Sequence, residues 1–157
     1  MISNIEENQS LVLQNVISFR KKLDQQTSTE VSKEIDEILA NNNAKKNGCT
    51  VTITHNSIIK NGQQIIDLEM MIPLDKEISA PVGFEFLSEF VLKDAFKVRI
   101  EGNPQQMQSA VESLAKYIKN KKLQPNTPLY VVTVKEAKTQ FDIDSMVTDI
   151  YTGVEKF

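Results

Sequence analysis

Two amphipathic helical segments, each preceded by one strand-like segment and followed by two, predict an α+β fold: two pseudo-symmetric βαββ modules forming an antiparallel sheet with two helices packed on one face. Three observations carry this expectation. Apolar residues recur at helical spacing twice, at Val31, Ile35, Ile38 and Leu39 and again at Met107, Ala110, Val111, Leu114, Ala115 and Ile118. Between these stripes the apolar residues alternate with period two, as in strands buried on one side. The order strand, helix, strand, strand occurs twice, over about residues 10–73 and 84–153 of a 157-residue chain read as a single domain.

The first strand is expected from Leu11 to Leu23, irregular or bulged because Leu11, Leu13, Val16, Ile17 and Phe19 mix alternate and adjacent apolar positions. Thr27 and Glu30 have the spacing of a capping box, which places a helix start at Thr27. The helix ends in the run Asn41, Asn42 and Asn43, before Gly48. From Cys49 to Asn56, Cys49, Val51, Ile53 and His55 share one strand face and the threonines the other. Asn61 and Gly62 tolerate the positive φ of a tight hairpin turn, and Ile66, Leu68, Met70 and Ile72 alternate beyond it as far as Pro73.

Pro73, Pro81 and Gly83 mark a short connection between the halves. Phe84, Phe86, Ser88 and Phe90 then read as one strand, and Phe96, Val98 and Ile100 as another ending at Gly102. Asn103 followed by Pro104 is the signature of a cap with proline in the first helical position. Lys119, Lys121 and Lys122 close that helix against the negative end of its dipole, and Pro125 and Pro128 stop it continuing. Leu129 to Val134 reads as a strand with Tyr130, Val132 and Val134 on one side. Met146, Thr148 and Ile150 form the last strand.

Composition narrows the function. A net charge of −3 is not the basic footprint of a nucleic-acid binder, and no apolar run reaches the roughly 20 residues of a membrane span. Met1 to Gln9 lacks the basic and apolar regions of a signal peptide, and the lone Cys49 rules out an intramolecular disulfide, so a reducing, cytoplasmic setting is expected. The glycines stand singly, which leaves no phosphate-cradling loop, and no cofactor is expected.

His55 is the sole histidine, with no sequence neighbour to act with it, and a structural role is expected. Cys49 and His55 are six strand residues apart, about 20 Å, too far for a nucleophile and its base. Asp67 and Glu69 point to one strand face and are the candidate contacts for a cationic ligand; a solvated face is the plainer reading. Asp142, Asp144 and Asp149 lack the spacing of a calcium loop and are expected at the surface. Arg20, Lys21 and Lys22, and the lysines from Lys116 to Lys122, offer contacts for an acidic partner. Phe86, Phe90 and Tyr117 complete the candidate ligand or partner contacts, and catalytic and metal-binding sets are absent.

The doubled plan resembles the GyrI-like, or SOUL-type, small-molecule-binding fold. The resemblance rests on the acidic, apolar strand from Ile65 to Pro73 and on the junction Phe96-Lys97-Val98-Arg99-Ile100-Glu101-Gly102. Asn15-Val16-Ile17-Ser18, Phe84-Glu85-Phe86 and Tyr151-Thr152-Gly153 are similar to a bacterial family often encoded beside type VIIb (Ess-type) secretion genes, which includes a toxin chaperone. That resemblance implies a non-enzymatic, cytosolic chaperone or adaptor for a type VII secretion substrate, with a protein partner and a capacity to self-associate. The alternative is a module that binds a cationic, apolar small molecule. No residue matches the buried carboxylate or tyrosine of the ligand-binding members, which weighs against that alternative.

Overall fold

A helix with one apolar stripe and a strand with one apolar face are each half-finished, and they are completed by being laid together. The computed structural model describes residues 1–136 and 139–156 and has the α+β class, with antiparallel ladders and two α-helices. The chain divides into two compact units, Leu13–Phe90 and Met1–Val12 with Val91–Phe157. The boundaries therefore differ from the expected halves: the first strand starts in one unit and ends in the other, and the stretch from Pro73 to Gly83 lies inside a unit instead of linking two.

In the Leu13–Phe90 unit, β1 (Glu6–Leu23) contributes its second part, followed by α1 (Gln25–Asn41), β2 (Val51–Lys60) and β3 (Gln63–Pro73). Asn15, at φ 54°, supplies the expected irregularity in β1. The cap of α1 is Asp24 and not Thr27: the Asp24 carboxylate accepts from the Thr27 amide at 2.8 Å, while the Thr27 hydroxyl accepts from the Asp24 amide. Two capping patterns overlap in the sequence, and the one with the carboxylate at the first position forms. At the other end Asn43 takes φ 51°, the left-handed conformation that stops a helix. β2 and β3 join through Asn61 and Gly62 at φ 53° and 78°, the tight turn expected of that pair.

β3 pairs with β1 on one side and β2 on the other. Val31, Ile35 and Ile38 of α1 cover Ile17, Phe19, Leu23 and Ile72, and the Phe19 and Phe84 rings meet edge to face at 5.5 Å. Leu74 and Ile78, in the supposed connection, are buried in this same core.

In the other unit a single strand, β4 (Glu85–Glu101), replaces the two expected from Phe84 to Phe90 and from Phe96 to Ile100, its last eleven residues lying here. The chain continues through Asp94 at φ 55° without leaving the strand. A 3₁₀ turn from Pro104 to Gln106 follows, capped by the Asn103 side chain on the Gln105 amide, and only then α2 (Met107–Asn120). β5 (Leu123–Pro125), which the prolines concealed, β6 (Tyr130–Lys135) and β7 (Val147–Lys156) complete the unit. β7 pairs with β4 on one side and with β6 and β5 in succession on the other.

Ala110, Leu114 and Ile118 of α2 pack on Phe96, Val98, Ile100 and Ile150. Of the side expected to be Tyr130, Val132 and Val134, only Val132 is buried, and Val131 packs toward the α2 core. Met1 to Gln9 is no loose lead. The terminal amine donates to the Glu101 carbonyl and Ser3 to the Arg99 carbonyl. In β7, the Gly153 amide donates to the Thr127 hydroxyl at 2.8 Å. Among the described residues no helix is long and apolar enough to cross a membrane.

Two outcomes test this frame. Leu114→Ala empties a site only 1% exposed and costs about 2–5 kcal/mol, read from urea unfolding midpoints. The Thr27 amide and hydroxyl hold the Asp24 carboxyl below the usual aspartate range. The stabilisation is therefore present above that range and is lost as pH falls through the lowered value. Asp24→Ala lowers Tm at pH 7, and the gap to the parent closes once pH has fallen below the lowered Asp24 value.

Candidate functional site

Side chains alternate across a strand, so the residues of β4 that do not face α2 point to the opposite side. These are Lys97 and Arg99, whose direct partners on β7 are Tyr151 and Asp149. On β6 the same two β7 residues face Tyr130 and Val132. Four strand neighbours of one carboxylate thus share a face: two cations on one side, apolar and aromatic groups on the other.

Asp149 is the centre of this face. Its side chain is 4% exposed, and Arg99 spans both oxygens, Nε to Oδ1 at 2.7 Å and Nη2 to Oδ2 at 2.9 Å. This is the bidentate, charge-assisted geometry that a planar guanidinium makes with a carboxylate. Lys97 Nζ stands 3.7 Å from Oδ2 and 3.2 Å from Glu6 Oε2, with its charge 5.8 Å from the Tyr151 ring centre. The hydrogen bond to Asp149 pushes the Arg99 pKa up, and burial does the same for the Tyr151 phenol. Tyr151 is accordingly neutral at physiological pH and offers an aromatic surface without charge.

The residues singled out from sequence fall elsewhere. Asp67 and Glu69 do share a face of β3, but each has a partner: Arg20 bridges Asp67 with two contacts of 3.1 Å, and His55 Nε2 lies 2.8 Å from Glu69 Oε1. His55, expected to stand alone, sits where a bulge in β2 brings it to Glu69 across the ladder. Arg20 holds the Asp67 carboxyl below its ordinary range, although the Arg20 side chain is 55% exposed and water weakens the pair. Phe86 packs on the α1 core, and Phe90 is half-buried in the same unit.

Tyr117 belongs to the other unit. Its hydroxyl donates to Glu7 Oε2 at 2.6 Å, which lowers the Glu7 pKa and raises its own, and its ring meets Phe96 edge to face. The five residues are therefore not one site. Asp142 and Asp144 are exposed as expected, whereas Asp149 is buried, which corrects the surface reading. Its signal was an acidic residue between Thr148 and Ile150-Tyr151 in an otherwise strand-like run.

Two cavities lie within single units. One of about 230 Å³, between α2 and the turn after β5, is lined by Val111, Leu114, Ile118, Pro128 and Leu129 and is almost wholly apolar. The other, about 720 Å³ and open, lies beside the start of α1 and the Gly62 turn. Among the described residues no group of three or more His, Cys, Asp or Glu is placed to hold a metal ion.

No protein-family model and no curated protein matches the chain. Solved structures match it by fold. The C-terminal domain of EcmrR aligns over 100% of this chain and 98% of that domain, with a TM-score of 0.71 and 14% identity. Against the EcmrR chain of a DNA complex the TM-score is 0.69 at 15% identity, and this chain spans 58% of that one. A hydrolase from Listeria innocua aligns over 97% of this chain and 91% of its own, at a TM-score of 0.61 and 7% identity. SAV2435, in a structure with bound tetraphenylphosphonium, aligns over 97% and 93%, at 0.50 and 13%. At these identities the likeness speaks for the fold alone.

The buried pair makes a stability prediction. Asp149→Asn leaves Arg99 without its counter-charge, while Lys97 keeps Glu6, and costs about 3 kcal/mol, toward the low end for a broken buried pair because Arg99 is partly in water. Combining Asp149→Leu with Arg99→Met recovers most of that loss, since an apolar pair of similar volume needs no counter-charge. Guanidinium unfolding of the three proteins measures both effects.

Proposed function

We propose that this chain is a non-enzymatic, ligand-binding module that takes an apolar organic cation, the positive centre drawn to Asp149 and the aromatic groups laid against Tyr151. The observation that carries this reading is the burial of Asp149. A carboxylate screened from water by its surroundings attracts a cation far more strongly than one at the surface, and the cation it favours is one that is weakly hydrated. The aromatic and aliphatic neighbours Tyr130, Val132 and Tyr151 suit the remainder of such a molecule.

The proposal moves the charged contact away from Asp67 and Glu69. Those carboxylates are more exposed than Asp149, at 19% and 31% against 4%, and an added cation gains less there. It also favours the alternative drawn from sequence over the secretion-chaperone reading. Tetraphenylphosphonium bound to SAV2435 supports a cationic ligand for this fold, while nothing in the matched structures supports a secretion substrate as partner.

The same reading includes a duplicated origin for the two units. Arg20 stands four residues before the Asp24 cap and pairs bidentately with Asp67, and Arg99 stands four residues before the Asn103 cap and pairs bidentately with Asp149. One arginine-aspartate clip thus recurs at the same distance from each helix start. Of the two copies, only the one with the buried carboxylate has the electrostatic character that a cation site needs.

Tetraphenylphosphonium at a hundred times its Kd is expected to stabilise the full chain by about 2.7 kcal/mol, seen as a rise in Tm. Asp149→Asn abolishes the rise, and Glu69→Gln leaves it intact. A rise that survives Asp149→Asn and disappears with Glu69→Gln would return the site to β3, and no rise under any condition would remove the reading.

A further inference from the structure

We infer that Arg99 is a built-in surrogate for the ligand, a guanidinium that occupies the Asp149 carboxylate in the free protein and must be displaced before an organic cation can bind. The inference rests on the proposed cation site and concerns what sets its selectivity. Three features of the geometry lead to it.

The first is that the cation already present fills the carboxylate. Arg99 contacts both Asp149 oxygens at 2.7 and 2.9 Å, so an incoming positive group finds no unshared face of the carboxylate as strongly attractive as the one Arg99 holds. The second is an asymmetry between the partners. The Asp149 side chain is 4% exposed and fixed in a strand, whereas that of Arg99 is 38% exposed. If the pair opens, the guanidinium swings into water, where it is well solvated, and the carboxylate stays behind. The opening leaves a vacancy at Asp149 and none at Arg99.

The third feature is Lys97. It is held by Glu6 at 3.2 Å, closer than its 3.7 Å approach to Asp149, and therefore has a partner of its own when Arg99 departs. With Arg99 gone, two carboxylates face one lysine. The local balance is then short of one positive charge, and a single monovalent cation restores it.

Selectivity follows from the cost of displacement. A neutral aromatic molecule cannot replace Arg99, because it leaves Asp149 buried and uncompensated. A small, strongly hydrated cation supplies the charge but buries too little apolar surface to offset the loss of the bidentate contact and its own dehydration. Only a molecule that combines delocalised positive charge with aromatic bulk meets both demands. The apparent affinity is reduced by the fraction of molecules in which the carboxylate is vacant, and removing Arg99 lifts that reduction.

The test is isothermal titration of the full-length chain with tetraphenylphosphonium, with neutral triphenylphosphine oxide and with tetramethylammonium. The parent is compared with Arg99→Gln and Asp149→Asn, each checked by circular dichroism. Arg99→Gln is expected to bind tetraphenylphosphonium about tenfold more tightly, or more, while melting at a lower temperature in the absence of ligand. Triphenylphosphine oxide shows no such gain, and Asp149→Asn loses binding of the cation. Should Arg99→Gln fail to fold, Arg99→Lys, which keeps the charge but cannot span both oxygens, is expected to give a smaller gain in the same direction.

Equal or weaker binding by the Arg99 variants, with binding still dependent on Asp149, overturns the surrogate role and leaves the cation site standing. Binding of tetraphenylphosphonium by none of the proteins overturns both. Binding by the Arg99 variants alone supports the surrogate in its strongest form.

Discussion

A strand has two faces and an amphipathic helix covers one of them; the rest of this molecule follows from that constraint. In each unit the helix packs on one of these faces, Ile17, Phe19 and Ile72 lying under α1 and Phe96, Val98, Ile100 and Ile150 under α2. The intervening residues are forced to the other side by the two-residue period. Charge is admitted there because it is excluded beneath the helices. The arginine-aspartate clips, the His55–Glu69 contact and the Lys97–Glu6 contact all belong to the faces that the helices leave uncovered or to their margins.

What distinguishes one carboxylate from another on these faces is solvent, not partner type. Asp67 and Asp149 are each gripped by an arginine through two nitrogen-oxygen contacts, yet the first pair has an exposed arginine and a carboxylate partly in water, and the second has its carboxylate almost fully enclosed. The same chemistry therefore has different energetic weight. In water a pair of charges is nearly neutral in its effect on stability. Enclosed, it is costly to break.

The parts of the fold that depend on neighbours in sequence were legible. The α1 and α2 stripes and the Asn61–Gly62 turn are local statements, in which each residue is read against those a few positions away. Local readings failed where two patterns overlapped, as with Asp24 and Thr27, and where one long strand, β4, read as two, from Phe84 to Phe90 and from Phe96 to Ile100. The short β5 was hidden because Pro125 suggested a stop, although a proline is tolerated at the end of an edge strand.

The candidate site was the least legible part, for a physical reason. Arg99 and Asp149 are fifty residues apart, and what makes Asp149 unusual is its register against β4 and β6, which no spacing within β7 discloses. Grouped with Asp142 and Asp144 along the chain, it looked like one more acidic surface residue. Asp67 and Glu69 drew attention because they are adjacent on one strand, a pattern that sequence shows readily and that solvent makes commonplace.

Gly153 carries a different kind of information. It needs no unusual backbone angle, so flexibility does not account for it, but a methyl group placed there would lie 2.6 Å from Asn126 Oδ1 and 2.9 Å from the Thr127 methyl carbon. The Asn126 and Thr127 side chains have closed down on the strand, and any larger residue at 153 requires them to shift. A larger residue at 153 is therefore coupled to Asn126 and Thr127, and the three positions are expected to change together. In distant relatives too divergent for ordinary comparison, a glycine late in the final strand facing a tight loop would serve as a marker of shared descent.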